Sequence, residues 1–334
     1  AGREPSGGPG VGVMRVLVTG AAGFIGSNTV EALLAQGHSV LGVDNLSTGS
    51  RRFLEDARAD PRFELSVTDL YAGADRLPAL FEGSGAVVHL AANADVRFGW
   101  DAPRRDLEQN VLVTHNVLEA MRLAGVPRIV FASTGSVYGE APVIPTPETC
   151  PFPVQTSLYG ASKLAAEGLV AAYAEGAGLR ATVLRFVSVL GRRYTHGHVV
   201  DFMRQLVRDP GRLTILGDGK QRKSYMDVSD CVAALVSLLG ADHRYEVFNL
   251  GVDDYCTVDE SAGWIAERLG ASPEVTHTGG VRGWVGDNPF IWLDTRKIRA
   301  AGWAPRYGIR EALERTVDYL GANQWILERE PVRA

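Results

Sequence analysis

The sequence predicts an α/β fold with a doubly wound parallel sheet, followed by a smaller α/β lobe. Short runs that are apolar throughout alternate with helical patterns in the first half of the chain, which is typical of a parallel sheet covered on both faces. The strand-like runs lie at 15–19, 39–43, 86–90, 128–133 and 181–186. Two of the helical patterns between them lie at 107–123 and 158–174.

After residue 186 the pattern is less regular. Turn-rich segments there separate helical pieces at 199–207, 228–239 and 258–269. We predict a first domain over residues 14–186 and a second lobe over 187–334, some of whose elements return to the first domain. Residues 1–13 are rich in Gly and Pro and lack an apolar core, so we expect a disordered leader.

Composition narrows the class of protein. Of the 334 residues, 46% are hydrophobic and 22% are charged, which is typical of a globular protein. The net charge of -5, with both signs mixed along the chain, argues against a nucleic-acid partner. We expect no membrane partner because no apolar run approaches ~18 residues. Cys150, Cys231 and Cys256 lie far apart, which favours free thiols and a cytoplasmic location.

A glycine-rich turn follows the first strand. Gly20, Gly23 and Gly26 are spaced G-x-x-G-x-x-G between a strand and a helix. Glycines in this context let backbone amides approach a pyrophosphate, and the helix N-terminus favours its negative charge. Asp44 ends the second strand, where a carboxylate binds the adenosine ribose and repels a 2′-phosphate. The pattern predicts a Rossmann domain over 14–186 with NAD as its cofactor.

A tyrosine and a lysine lie four residues apart at the start of a helical pattern. This spacing puts Tyr159 and Lys163 on one helix face. A nearby ammonium and a cationic nicotinamide ring favour the tyrosinate, which can exchange a proton with a substrate hydroxyl. Thr134, at the end of a strand, is the third candidate, with Ser133 and Ser136 beside it. The catalytic prediction is therefore Thr134, Tyr159 and Lys163.

No metal site is predicted. His196 and His198 are spaced like a pair of metal ligands, but no third ligand clusters with them in the sequence. We interpret them as loop histidines.

These motifs together resemble the extended short-chain dehydrogenase/reductase family, the NAD-dependent epimerases and dehydratases, and within it the UDP-galactose 4-epimerase branch. The resemblance runs from about residue 14 to 319. Its marks are TGAAGFIGS, VDNLSTG, VVHLAANADVR, STGSVYGE, YGASK, LGDGKQRKSYMDV and RGWVGD.

The resemblance implies a set of site residues. The cofactor-binding residues would be Gly20, Gly23, Phe24, Ile25, Gly26, Asp44, Asn45, Asp69, Leu70, Leu90, Ala91, Ala92, Asn110, Tyr159 and Lys163. The residues that bind the nucleotide sugar would be Ser133 and Ser136, which flank Thr134, and Ser188, Lys223 and Arg282 in the second lobe.

The resemblance also implies the reaction and the assembly. A UDP-hexose of the UDP-glucose or UDP-galactose type would be oxidised at C4, would rotate as a bound 4-keto sugar, and would be reduced on its other face. The helices at 107–123 and 158–174 would pair with their copies in a homodimer. Their apolar residues are Val111, Val113, Val117, Leu118, Leu164, Leu169 and Val170.

Three positions depart from the family pattern, and they leave the substrate open. Ser188 replaces a usual Asn, Lys223 replaces a frequent Arg, and Ala94 stands where some epimerases have Lys. Gly135 and Ser136 stand where the dehydratases carry an Asp-Glu pair, and the decarboxylases usually carry the Glu. Decarboxylase, dehydratase and 4-keto reductase reactions stay open as alternatives, and a non-catalytic dinucleotide sensor is a more distant one.

Overall fold

A seven-stranded parallel sheet is the centre of the computed structural model, which describes residues 12–94, 99–151 and 154–329. The strands, numbered along the chain, are β1 (Arg15–Thr19), β2 (Ser39–Asp44), β3 (Phe63–Val67), β4 (Ala86–His89), β5 (Arg128–Thr134), β6 (Arg180–Phe186), β7 (Ser188–Leu190), β8 (Arg212–Ile215), β9 (Arg222–Lys223), β10 (Tyr225–Asp227), β11 (Tyr245–Leu250), β12 (Cys256–Thr257), β13 (Glu274–His277) and β14 (Phe290–Ile291).

The helices alternate with these strands. They are α1 (Phe24–Ala35), α2 (Glu55–Arg58), α3 (Leu77–Phe81), α4 (Pro103–Asp106), α5 (Val113–Ala124), α6 (Leu158–Gly176), α7 (His198–Arg208), α8 (Val228–Ser237), α9 (Val258–Leu269), α10 (Arg296–Ala300), α11 (Ile309–Ala322) and α12 (Trp325–Glu328). A π-helical segment, Leu107–Leu112, joins α4 to α5.

The order of strands in the sheet confirms the predicted fold class. The order is β11-β6-β5-β4-β1-β2-β3, and each neighbouring pair is parallel. Val16 and Leu17 of β1 are fully buried because helices cover both faces of the sheet. The chain order reverses at β1, between β2 and β4. The carboxyl ends of β1 and β4 therefore border the crevice where sheets of this type bind ligands.

Two helical layers cover the sheet. On one face, α1 and α8 contribute Val30, Leu33 and Leu235 to a core shared with β1 and β4. On the other face, α3, α5 and α6 contribute residues such as Val117 and Val170. Helix α6, which carries Tyr159 and Lys163, is thereby packed directly on the sheet.

The second lobe has its own core. Helices α7, α9, α11 and α12 share buried residues that include Phe202, Ile265, Leu313 and Ile326. Small sheets lie beside them, with orders β10-β7, β12-β9-β14 and β13-β8. Strand β11 and helix α8 come after residue 186 in the chain but pack with the seven-stranded sheet of the first domain. The domain boundary at 186 stays a prediction.

The helix predicted at 107–123 begins earlier and is not uniform. Pro103 occupies the first turn, where its missing N–H costs no hydrogen bond. The π-helical segment then shifts the phase of the side chains before α5 begins at Val113. Such segments occur frequently at functional sites.

Of the predicted leader 1–13, residues 1–11 lie outside the described part of the chain. Within the described part, no helix has both the length and the apolar character that crossing a membrane requires. The three cysteines are buried free thiols.

The proposed dimer surface needs a correction. Val113, Val117, Leu118 and Val170 are at most 2% exposed, because α5 and α6 bury them against the sheet of their own chain. They cannot contact a second copy. The exposed apolar residues along this part of the chain are instead Leu107, Leu112 and Leu123.

A homodimer through this face stays a prediction. Leu112→Glu should convert a dimer to a monomer, because it places a charge in the buried centre of such an interface. Leu269→Glu is the matched control, since Leu112 and Leu269 are both 36% exposed and Leu269 lies in the second lobe. Light scattering at micromolar concentration measures the mass. A monomeric unmodified protein would contradict the prediction.

Candidate active site

The glycine-rich turn brings backbone into contact with backbone. Gly20 has a φ of +67°, and a Cβ there would lie 2.9 Å from the Ala91 nitrogen. A Cβ on Gly26 would lie 1.9 Å from the Gly20 oxygen. Side chains at these two positions would therefore separate β1 from α1 and from the end of β4. Gly23 precedes α1, a helix of 12 residues whose N-terminus opens onto the crevice.

Asp44 connects the turn to the loop after β2. Its Oδ2 accepts from the Ala22 amide at 2.9 Å, and its Oδ1 accepts from the Leu46 amide at 2.7 Å. The residue is only 8% exposed. Burial raises the pKa of Asp44, although the Leu46 and Ala22 hydrogen bonds act in the opposite direction.

Asn45 and Asp69 lie together at the same edge of the sheet. The Asn45 amide donates to Asp69 Oδ2 at 3.0 Å. Burial acts to raise the pKa of Asp69, but hydrogen bonds from the Ala72 amide, Asn45 and the Tyr71 amide lower it overall. Asp69 is thus held as a carboxylate, and Leu70 beside it is buried.

The end of β4 is fixed by a buried histidine that was not predicted from the sequence. His89 lies between the Thr19 hydroxyl, 2.7 Å from Nδ1, and the Thr114 hydroxyl, 3.1 Å from Nε2. Thr19 also accepts from the amides of Leu90 and Ala91, both at 3.1 Å. Burial and then the Lys163 charge lower the pKa of His89 to about 3, so its ring is neutral. The sequence feature that indicates this role is a polar residue, His89, at the end of an otherwise apolar strand.

Asn110 is the centre of a second polar cluster. Its side chain accepts from the Asn93 amide at 2.8 Å and donates to the Ser162 hydroxyl at 2.9 Å. Asp106 accepts from the Asn93 side chain at 2.8 Å. Ser162 in turn donates to the Tyr159 carbonyl at 2.8 Å, so the cluster joins the loop after β4 to the first turn of α6. Of the side chains that form this cluster, only Asn110 was predicted from the sequence.

Tyr159 and Thr134 lie together at the crevice, and Lys163 follows one turn further along α6. The Ser157 hydroxyl caps α6 by accepting from the Gly160 amide at 3.0 Å, which puts Tyr159 in the first turn. Burial raises the pKa of Tyr159 to about 12, a hydrogen bond with Thr134 acts to lower it, and the Asp106 charge acts to raise it. The sequence predicts a lowered pKa for Tyr159, whereas in the structure the effect of burial on this pKa is larger.

Lys163 is a buried cation one turn further along α6. Its Nζ lies 4.4 Å from the centroid of the Phe131 ring, and the residue is 4% exposed. Burial lowers the pKa of Lys163 to about 8, while the Glu167 charge acts to raise it. Lys163 is therefore protonated at neutral pH.

The two predicted serines beside Thr134 are not equivalent. Side chains alternate along β5, so Ser133 points away from Thr134 and donates to the buried carboxylate of Glu167. The structure does not bring Ser133 to Tyr159. The Ser136 amide donates to the Thr134 hydroxyl at 3.1 Å, so Ser136 stays beside the predicted catalytic residues.

Lys223 and Arg282 of the second lobe meet around one acid. Lys223 Nζ donates to Asp287 Oδ1 at 2.7 Å and to the Asn288 carbonyl. Arg282 Nη1 donates to the Asp287 carbonyl at 3.0 Å. Burial lowers the pKa of Lys223, and the Asp287 charge acts against this. Asp287 was not predicted from the sequence.

Ser188 and His198 both lie next to Tyr225 of β10. Ser188 is exposed on β7 and pairs with Tyr225, two residues beyond Lys223. His198 stacks on the Tyr225 ring at 4.7 Å and bonds to the Ser261 hydroxyl at 2.7 Å. Among the described residues, no group of three potential metal ligands is found.

Comparison with known proteins identifies the family. The family model described as "NAD dependent epimerase/dehydratase family" matches residues 16–251. The chain belongs to this family. The UDP-glucose 4-epimerase of Mycolicibacterium smegmatis is 37% identical over 92% of this chain and 98% of its own. UDP-glucuronic acid decarboxylase 1 of Arabidopsis thaliana is 33% identical over 91% of this chain and 69% of its own.

The fold of this epimerase/dehydratase family member is similar to that of a solved structure. The UDP-glucose 4-epimerase of Thermus thermophilus, in complex with NAD, superposes with a TM-score of 0.81. It is 35% identical and covers 92% of this chain and 99% of its own. The predicted family and the predicted cofactor, NAD, are therefore confirmed.

The residues of this epimerase/dehydratase family member fit NAD. The turn at Gly20 and Gly26 has no Cβ that would keep a pyrophosphate away from backbone amides, and the α1 N-terminus supplies a positive dipole. The Asp44 carboxylate lies at the end of β2, where an adenosine ribose binds in folds of this type. The individual contacts stay predictions.

Asp44 should determine the preference for NAD over NADP. Asp44→Asn should weaken NAD binding by about tenfold, because a charged acceptor is lost, and should narrow the gap to NADP. Titration of the apoprotein with each dinucleotide measures both affinities. Asp75→Asn, on the exposed surface of the same domain, is the control. Equal affinities of the unmodified protein for NAD and NADP would contradict this prediction.

Proposed function

We propose that this family member is a 4-epimerase of UDP-hexoses that interconverts UDP-glucose and UDP-galactose through a transient 4-keto sugar. The observation that carries the proposal is the placement of Tyr159 and Lys163 one turn apart at the start of α6, both buried, with Thr134 at the end of β5 acting on the tyrosine. This is an acid–base arrangement suited to a substrate hydroxyl. The name of the Mycolicibacterium relative supports the substrate class.

The chemistry follows from these side chains. NAD held at the glycine-rich turn and Asp44 would supply the acceptor and donor for the C4 hydride, which leaves one face of the sugar and returns to the other. Tyr159 takes the proton of the C4 hydroxyl as the carbonyl forms and gives it back as the carbonyl is reduced. Thr134 holds the same oxygen by a hydrogen bond. The net change is inversion at C4, with no proton or electron left over.

Charge makes this role possible for Tyr159. With a pKa of about 12, Tyr159 is protonated at neutral pH and cannot accept a proton in this form. The Lys163 ammonium and the positive charge of oxidised nicotinamide both favour the tyrosinate. The sugar nucleotide's diphosphate would bind at Lys223 and Arg282, which donate to the side chain and to the backbone carbonyl of Asp287, respectively.

The side chains around the end of β5 leave little room for the carboxylic acid that dehydratases carry there, which disfavours elimination of water. A Cβ on Gly135 would lie 3.3 Å from Ile291 Cγ2 and 3.5 Å from Leu293 Cδ1. A carboxylic acid at this position would therefore be crowded by apolar side chains. Ser136 likewise lacks the carboxyl group that the resemblance implies for dehydratases and decarboxylases. These two positions favour epimerisation over both alternatives.

Turnover of a small panel tests the proposal. The panel is UDP-glucose, UDP-galactose, their N-acetyl and uronic forms, and dTDP-glucose. We expect interconversion of UDP-glucose and UDP-galactose with no net formation of NADH. Release of CO₂ from UDP-glucuronate, or a 6-deoxy-4-keto product, would replace the proposal by a decarboxylase or a dehydratase.

Three substitutions test the catalytic assignment. Tyr159→Phe should retain the fold and NAD binding and lose ~10²–10⁴-fold in turnover, because it removes the proton carrier. Lys163→Met should lose a similar factor. Thr134→Val should lose less, because Ser136, whose backbone amide bonds to Thr134, carries a hydroxyl that we expect to substitute, whereas Ser133 is bonded to Glu167.

Tyr173→Phe is the matched control for the tyrosine. Tyr173 lies near the other end of α6 and donates to Glu119 at 3.0 Å, away from the crevice. Its turnover should be unchanged. A Tyr159→Phe protein that binds NAD and turns over at the normal rate would overturn the catalytic assignment.

A further inference from the structure

A buried ion pair lies beneath the helix that carries Tyr159 and Lys163. The side chains of Glu167, on α6, and Arg185, on β6, are each 4% exposed. Arg185 donates from Nε to Glu167 Oε1 at 3.0 Å and from Nη2 to Oε2 at 2.7 Å. The Ser133 hydroxyl of β5 also donates to Oε1. This two-point contact fixes both the position and the rotation of α6 on the sheet.

The contacts continue across three strands. Arg185 Nη1 donates to the Tyr138 hydroxyl at 2.7 Å, which donates to Asn249 Oδ1 of β11 at 2.8 Å. Nη1 also donates to the Glu148 carbonyl at 3.3 Å. Burying two charges has a desolvation cost that apolar side chains of the same size would avoid. Stability alone therefore does not account for a charged pair at this place.

The Glu167 carboxylate also acts on Lys163. The two residues are four apart on α6, and Glu167 is the group whose charge opposes the effect of burial on the Lys163 pKa. The other groups around Lys163 do not supply this charge. His89 on β4 is neutral, the Phe131 ring of β5 has no net charge, and Tyr159 on α6 is a phenol. Asp106 of α4 acts on Tyr159.

We propose that Glu167 is a positioning residue for the proton-transfer machinery. Through Arg185 and Ser133 it holds α6 against the sheet, and its negative charge, one turn from Lys163 on the same helix, favours the ammonium form of Lys163. The proposal rests on the proposed function in one respect, since a charged Lys163 is what the tyrosinate requires.

Two variants test it. Glu167→Gln removes the charge and leaves Arg185 buried without a counter-charge, so the double variant Glu167→Gln with Arg185→Gln is made beside it to preserve folding. NMR of ¹³C-labelled lysine in the NAD-bound protein follows the titration of Lys163. We expect its midpoint to fall by on the order of one pH unit in both variants.

The pH profile of turnover should move in the same direction. Lys163 is charged below its pKa of about 8 and loses its charge as the pH rises through it. Without Glu167 the ammonium is lost at a lower pH, so the alkaline limb of the profile shifts toward acid. Well below this range the lysine is charged in all of the proteins, and the variants should differ least from the unmodified enzyme.

Glu148→Gln is the matched control. Glu148 belongs to the same network, since its Oε1 accepts from the Asn249 amide at 2.8 Å, but it contacts the Nη1 side of Arg185 rather than the Nε and Nη2 side. Its substitution should leave the Lys163 midpoint unchanged. An unchanged midpoint in the folded Glu167 variants would overturn the proposal. An unmodified protein inactive on every UDP-sugar would count against the proposed function, and the lysine titration would still decide this inference.

Discussion

The site depends on one close contact between backbone segments. The space left by the missing side chain of Gly26 is occupied by the carbonyl of Gly20, and the backbone after β4 leaves no room for a side chain at Gly20 itself. Because β1, α1 and β4 converge there, the α1 N-terminus, the Asp44 carboxylate and the loop after β4 all open onto one crevice. A single methyl group at Gly26 would separate these elements, whereas the surrounding apolar core tolerates changes of shape more readily.

Buried polar groups then give the crevice its chemistry. Burial favours the neutral forms of Tyr159 and Lys163, since it raises the pKa of the tyrosine and lowers that of the lysine. Thr134 acts to lower the pKa of Tyr159, and the Glu167 charge acts to raise the pKa of Lys163. Neutral His89 fixes the end of β4 without adding a competing charge. Reactivity at this site is therefore a balance between desolvation and a few placed partners.

In the proposed function, the first lobe binds the cofactor and the second lobe binds the sugar nucleotide. Strands of the large sheet end at the cofactor side, while β9 and β14 of the second lobe present Lys223 and Ile291 at paired positions. Side chains paired in this way share a face, so a cation and an apolar wall stand together. UDP-glucose 4-epimerases and UDP-glucuronic acid decarboxylases are both among the relatives. We propose that the choice between these reactions depends on small differences such as Gly135 and Ser136.

The sequence alone determined the fold class, the cofactor and the candidate catalytic residues, because each of these rests on short-range patterns. Apolar runs predict buried parallel strands, and the glycine spacing predicts a turn beside a helix. Tyr159 and Lys163 are four residues apart on one helix. Tertiary structure decided what depends on contacts between distant segments. Ser133 points to Glu167 because side chains alternate along β5, and Asp287 joins Lys223 to Arg282. Val113, Val117 and Val170, which were assigned to a dimer surface, are buried in the core. No local pattern contains these pairings, since they arise only when strands and helices far apart in the chain pack together.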